Sequence, residues 1–567
     1  MFVKKSWSTY KGRKYVSYHI AEGYWDSEAK QARHRLLLNI TPLPPHVREA
    51  ISVSLKTGKA VKPGEVSKGA IDIQIKNGDT VRGAGLISIY RAWKQQKMDG
   101  LLPGLTAAQK ESVLAMVAQR ILEPGSKLGL KEQFSDTILS RIYSKKRLNE
   151  DELYHVMDQL HEQFYAVQDR IQKREDASPV LLLYDCTSTY FEGQCAEDGR
   201  YGYSRDKRWD RYQVVLGLVC STEGVPLALE VWPGDTPDKS TVIEQIQMLK
   251  KRFSVKRAVF VGDKGMYQET AIEEIEEAGF DYILSLEWKK QRKQLETLGA
   301  HQLSVFDKMG VVEWEEDGVR YVGCVSELKK YRARSRREAG MQRAEEQLAR
   351  IAGTAKKGRY YSWVSLRTRI KEILDKEGVA GLWKVEIAPL QDMESPEDRI
   401  RLDLAFEPDE EAIEKRKSIE GKYVLQTSLD SKNHSAQEVD EHYRRLMKTE
   451  RAFRHIKTYL KIRPVYHYKR ERVRAHVMIC FLAFYLVKKM ELEMREAGEN
   501  REVERVLRHW DKLRISHCQV HAGEHTCEQW DWALGEEGEK IKNDISSVGW
   551  WRSLQAHWRG LRRKLAQ

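Results

Sequence analysis

Two short apolar runs, each stopping just before an aspartate, constrain this chain most. The segment SPVLLLYDCTSTYFEG has an uninterrupted run over 180–183 ahead of Asp185, and KRAVFVGDKGMYQ repeats the pattern with 258–261 ahead of Asp263. Apolar runs of this length, bounded by Gly or polar turns, predict buried central strands. A carboxylate at the end of such a strand is held rigidly at the rim of a sheet. A third acid, Glu450, lies in HYRRLMKTERAFRHIKTYLKIRP, where Tyr443, Leu446, Met447, Phe453, Ile456 and Leu460 recur at helical spacing. Two strands and a helix can therefore converge on one metal site.

Three carboxylates in such contexts suit one chemistry. Cleaving a phosphodiester with two metals needs divalent cations about 3.5–4 Å apart, one at the attacking and one at the leaving oxygen. Mg²⁺ prefers hard carboxylate oxygens and keeps several waters, which leaves room for phosphate. A chain with 84 acidic residues also places an aspartate after an apolar run by chance, so each acid taken singly is weak.

The flanking text is more specific. YDCTSTYFEG, then YGYSRDKRWDRYQVVLGLVCSTEGVPLALEVWPGDTPDKST, then VFVGDKGM, then the helix with Tyr443, Glu450 and Lys457, occur in that order. Together they resemble bacterial insertion-sequence DDE transposases of the IS-four superfamily, in the branch with a long N-terminal region. The resemblance covers nearly the whole chain, most densely residues 180–290 and 420–485. It implies that Asp185, Asp263 and Glu450 are the catalytic residues and the ligands of two Mg²⁺ or Mn²⁺ ions. The family's helix signature is Tyr, two residues, Arg, three residues, Glu, six residues, Lys. Tyr443, Glu450 and Lys457 fall on it, but the Arg position holds Leu446. Lys457 lies about two turns beyond Glu450 on the same helix face, and with Tyr443 it is expected to hold the DNA backbone beside the scissile phosphate.

Composition agrees with a polyanionic partner. Lysine and arginine number 97 against 84 acids, a formal charge of +13, which attracts phosphate and steers association. Clustering says more than the total. From Arg444 to Arg474 the chain carries Arg451, Arg454, Lys461 and nine other cations with Tyr459, Tyr466, His467 and Tyr468 interleaved. Such a mixture suits phosphate contact and stacking on unpaired bases. The expected partner is double-stranded DNA, both transposon terminal inverted repeats and target, held by a homodimer.

At 567 residues the chain is long enough for several domains. Its longest apolar run, 477–487, is about half a membrane span and reads as a core helix. The N-terminus shows charge without an apolar h-region, and seven scattered cysteines form no disulfide framework, so a bacterial cytoplasmic location, on the nucleoid when DNA-bound, is expected. The patch His517, Cys518, His521, His525 and Cys527 offers zinc ligand types without the paired spacing of a structural site, and reads as an ordinary hairpin.

The expected fold class is α/β multidomain, with an RNase H-like core, a mixed five-stranded sheet with helices, interrupted by a mainly β insertion. Residues 1–60 read as a small β-containing module, 61–83 as a linker and 84–175 as a helical region expected, from the resemblance, to bind DNA ends. Residues 176–290 form the first part of the core, with Gly224 and Pro226 turning between its second and third strands. Residues 291–425 are the insertion, with strand candidates and charged helices, and 426–490 complete the core. Trp288, Trp314 and Trp363 are candidates to stack on an extruded base. Residues 491–567, with Trp510, Trp530, Trp532, Trp550, Trp551 and Trp558, are expected either to assist dimer assembly or to pack on their own core. Two other functions fit less well: a domesticated transposase acting only as a DNA-binding protein, and an RNase H-like nuclease without strand transfer.

Overall fold

The computed structural model describes residues 1–10, 13–26, 30–57, 73–144, 147–175, 181–193, 196–237, 241, 244, 259–262, 269–297, 310–356, 363–389, 402–522, 525–533 and 536–565. The chain divides into two compact units. One comprises Met1–Ala177, Cys186–Thr236 and Glu450–Gln567, the other Ser178–Asp185 and Pro237–Thr449.

The first unit opens with an antiparallel sheet of strands Phe2–Tyr10, Arg13–Asp26 and Gln31–Asn39. Helix Pro45–Thr57 closes its apolar face, where Ile20, Leu38, Ile40, Leu43, Val47 and Ile51 form a small core. This is the β-containing module expected over 1–60. The linker expected over 61–83 needs correction, because Ile73–Arg82 is a strand. It pairs antiparallel with Arg514–Ala522, which pairs in turn with His525–Trp532. A chain segment 430 residues away supplies the partner, so local composition could not reveal the strand.

The region 84–175 is helical as its periodicity predicts, with helices Ala84–Gln95, Ala107–Leu122, Lys127–Phe134, Glu150–Glu162 and Phe164–Arg174. The second starts at a capping box, in which Thr106 accepts from the Gln109 N–H and Gln109 accepts from the Thr106 N–H. Helix Arg470–Glu496 runs through the middle of this assembly. Every residue over 477–487 is buried, and a helix apolar all round is a core element. Among the described residues no helix is long and apolar enough to cross a membrane.

The C-terminal tryptophans pack on their own chain. Trp510, Trp532, Trp550, Trp551 and Trp558 are buried, with ring centroids 5.6 Å apart for Trp510–Trp550, 5.5 Å for Trp532–Trp551 and 5.7 Å for Trp532–Trp558. These five rings are therefore core and offer no surface to a second copy. The same unit holds the antiparallel pair Gln213–Cys220 and Pro226–Pro233, turning at Gly224 with φ 79°.

In the second unit the strand order is Val311–Glu316, Val319–Val325, Lys422–Thr427, Asp281–Ser285, Val259–Gly262 and the first residues of Leu181–Tyr190. The last residues of Leu181–Tyr190 belong to the first unit, where Gln213–Cys220 is the next strand. Helix Glu269–Glu277 precedes strand Asp281–Ser285.

The expectation of a mainly β insertion is also corrected. Residues 291–425 do contain the hairpin Val311–Val325 and the pair Trp383–Pro389 with Leu402–Pro408. They also contain helices Glu327–Lys356, 30 residues long, Trp363–Lys376 and Glu410–Ile419. The long helix is rich in Ala, Arg, Glu, Lys and Gln, the best helix formers. Its Ala344, Leu348 and Ile351 share a core with Leu366, Ile370 and Leu404. Strand Lys422–Thr427 then pairs antiparallel with Asp281–Ser285, returning the chain to the sheet as expected.

Candidate active site

Strand Leu181–Tyr190 carries Asp185, and strand Val259–Gly262 ends one residue before Asp263. The two strands are parallel, pairing Leu181 with Val259, Leu182 with Phe260 and Leu183 with Val261. Leu183, Phe260 and Val261 are fully buried, and the Tyr184 and Phe260 rings lie 5.4 Å apart. Burial on both faces is why these strands read as unbroken apolar runs. Asp263 lies outside the described residues, and the backbone of Asp185 is described without its side chain.

Helix Ala436–Thr458 carries Glu450, again with the backbone described and the side chain not, as for Arg451. The part before Glu450 belongs to the second unit. There Leu446 is 3% exposed, so the position where the signature has Arg faces the core. The neighbouring Arg444 bonds Asp440 at 2.7 Å and the Val325 carbonyl at 3.0 Å. Tyr443 packs on Tyr423 with centroids 5.7 Å apart, and Lys329 lies over the Tyr423 ring at 4.0 Å. Tyr423 donates to Asp440 at 2.5 Å. Burial, then the neighbouring Cys324 and Asp440, push its phenol pKa far up.

From Glu450 onward the helix belongs to the first unit. Ala452, Phe453, Ile456 and Leu460 anchor it, and His455 Nε2 lies 2.7 Å from Oε1 of the fully buried Glu504. Lys457 donates to Asp206 at 3.0 Å, and Arg463 meets the same carboxylate. Arg454 and Lys461 are exposed, and Lys461 has φ 45°.

Side-chain donors bind the carbonyls that follow the helix. Arg508 donates to Tyr459 O at 3.3 Å, Arg120 to Lys461 O at 3.4 Å and the neutral His476 Nε2–H to Ile462 O at 2.9 Å. The two arginines there complement the helix dipole. Burial, then Arg120, pushes the pKa of His476 well below its usual value. Burial, then Lys127, lowers His467 to about 3, and burial, then Arg120, lowers Lys127 to about 7.

Of the expected base-stacking tryptophans, Trp314 stacks on Tyr321 at 5.8 Å and bonds Gln294, Trp363 is 44% exposed, and the Trp288 side chain lies outside the described residues. The cysteine and histidine patch forms an antiparallel hairpin, in which His517 stacks on Trp530 at 4.5 Å. Among the described residues no group of three His, Cys, Asp or Glu side chains could hold a metal. Sequence reasoning missed Asp206, the carboxylate that Lys457 shares with Arg463. YGYSRDKRWDRY contains Asp206 but carries no spacing that ties it to a helix 250 residues away.

No curated protein matches this chain. One similar solved structure is the piggyBac transposase synaptic complex with hairpin DNA, determined by cryo-EM. It is 9% identical, with 75% of this chain and 76% of that chain covered, at a TM-score of 0.33. The family model described as Transposase DDE domain matches residues 176–486, more than half of the chain and all three acids. The chain belongs to the DDE-domain transposase family.

Proposed function

We propose that this chain cleaves DNA at the terminal inverted repeats of an insertion sequence and joins the freed 3′ hydroxyl to target DNA. The observation that carries this is the span of the family match, 176–486, which takes in Asp185, Asp263 and Glu450 in their motifs. The parallel register supports it, because the pair Leu183–Val261 stands two residues before each aspartate. Within the second unit the parallel pairing of Leu181–Leu183 with Val259–Val261, and of Val259–Gly262 with Asp281–Leu284, supports an RNase H-like core.

Asp185, Asp263 and Glu450 would hold two Mg²⁺ or Mn²⁺ ions, and their hard carboxylate oxygens fit those ions. When bound, the ions lower the pKa of the attacking hydroxyl or water and stabilise the leaving oxygen. The chain's own part is to keep three acids on rigid elements and to bind the DNA backbone. Exposed Arg454 and Lys461 suit that contact. Lys457, held on Asp206, and Tyr443, packed on Tyr423, are proposed to join them at the backbone together with Arg451. Pairing two ends requires two copies, so a homodimer on DNA is the working assembly.

The test uses labelled DNA ends from both sides of the gene, with wild type and Asp263→Asn, in Mg²⁺ or EDTA. Metal-dependent nicking at the repeat boundary, absent in the variant, is the expected result. Sequence-specific binding without cleavage in any metal would instead identify a DNA-binding relic.

A further inference from the structure

We propose that loops 196–212 and 459–470 form one platform on which unpaired nucleotides of a DNA strand stack. The proposal rests on the DNA-processing reading above and adds a binding site to it.

Exposure comes first. Tyr203 is 74% exposed, Tyr466 72%, Trp209 57%, Tyr468 54% and Tyr201 53%. Five large rings left in water on two loops amount to an unfilled apolar surface.

The two loops are one structure. Val465 N–H donates to Tyr190 O at 2.9 Å, Glu192 N–H to Val465 O at 3.0 Å and Glu197 N–H to Tyr468 O at 3.0 Å. Arg470 donates to Asp198 at 2.6 Å, and Lys457 and Arg463 both hold Asp206. The rings are also arranged before any ligand arrives. Tyr203 and Trp209 meet edge to face at 5.6 Å, Tyr201 and Tyr212 at 4.6 Å, and the Arg205 guanidinium lies 6.0 Å from the Tyr203 ring.

Charge selects the occupant. Four acids in or just before the first loop are neutralised internally, Asp206 by Lys457 and Arg463, Asp198 by Arg470, Asp210 by Arg208 and Glu192 by Arg211, while Glu197 accepts from the Arg470 backbone N–H. Lys207, Arg454, Lys461 and Lys469 have no carboxylate partner among the described residues. Rings interleaved with uncompensated cations match a polyanion whose bases present π faces. The same net positive charge opposes docking of this face onto itself in a second copy. Position agrees as well, since the first loop follows the strand of Asp185 and the second follows the helix of Glu450. Cleavage at a DNA end would leave unpaired nucleotides close to those elements.

The experiment titrates the full chain, without divalent metal, into a single-stranded oligonucleotide containing 2-aminopurine, and separately into a labelled duplex end. Wild type is expected to quench the base and bind the single strand. Tyr203→Leu/Trp209→Leu is expected to weaken that binding about 30-fold or more, as loss of two stacking contacts requires, while duplex affinity changes less than about threefold. Tyr203→Phe/Trp209→Phe should retain binding, which separates stacking from misfolding. Unchanged quenching in the leucine variant overturns the platform. So does duplex binding by wild type without single-strand binding, a result that leaves the transposase reading intact. Wild-type self-association lost in the leucine variant would make the patch a protein interface and also overturn the platform. Absence of all DNA binding, duplex included, would instead remove the reading on which the platform rests.

Discussion

Leu183 and Val261 are paired in register across two parallel strands, both fully buried, and each stands two residues before an aspartate of the expected triad. A parallel register advances both strands together, so the spacing that equals two on one strand equals two on the other. Asp185 and Asp263 are therefore matched by count from a shared rung. The soft-ligand variant Asp263→Cys should lose at least about 10³-fold in nicking with Mg²⁺ and recover part of it with Mn²⁺, because thiolate prefers the softer ion. Gel assays of nicked ends in each metal measure this, and equal activity of the variant in Mg²⁺ would remove Asp263 from the metal site.

Restoring the family's signature should fail. Leu446 is 3% exposed, so Leu446→Arg places an uncompensated charge in a core. A loss of about 3 kcal/mol or more is expected, visible as a lowered denaturant midpoint. A stable, more active variant would show that the helix face can reorient.

Lys457 and Asp206 are 11% and 9% exposed, with Arg463 on the same carboxylate. Removing Asp206 leaves two cations poorly compensated. Asp206→Ala is expected to cost about 2–3 kcal/mol, and a double-mutant cycle with Lys457→Ala should show coupling of roughly 1–2 kcal/mol. Independent effects in urea denaturation would show that the Lys457–Asp206 pair carries no coupling.

The end of the Glu450 helix should be acid-sensitive. His467, lowered to about 3, faces Lys127, Arg120, Arg472 and Asp158; His476 faces Arg120, His467 and Lys127 and is also lowered. His467 stays neutral in the folded chain at pH 5, whereas unfolded histidine titrates near pH 6.5. The unfolded chain then binds more protons, so stability present above pH 6.5 is lost as pH falls toward 3. His467 alone costs about 2 kcal/mol by pH 5, and His476 acts in the same direction. Thermal melts from pH 7.5 to 5 should fall, and less steeply in His476→Gln.

Lys127 acts with the same sign in a higher pH window. Burial lowers its pKa to about 7, so between pH 7 and 10.5 the unfolded chain carries the extra proton and folding is disfavoured. Lys127→Met is expected to stabilise by on the order of 2 kcal/mol at pH 7, with the gain shrinking toward pH 10. A destabilised variant at pH 7 would mean that Lys127 serves a partner.

Much of the fold was legible because it is local. The apolar runs before Asp185 and Asp263, the helical period through Glu450 and the buried run over 477–487 each follow from neighbouring residues. The strand Ile73–Arg82 was not legible, since its hydrogen-bond partner begins at Arg514. The charged helices of the insertion were legible, but its balance as mainly β was not, because helix Glu327–Lys356 and helix Glu410–Ile419 outweigh the short strands there.

The sequence by itself determined the element types, the three acids with their order, and the family, because periodicity and motif spacing are properties of one segment at a time. Only the tertiary structure decided that Leu446 is core, that Lys457 is tied to Asp206, and that two loops distant in sequence are hydrogen-bonded to each other. Those are pairings between segments, set by which side chains are excluded from water together, and a linear pattern does not encode them.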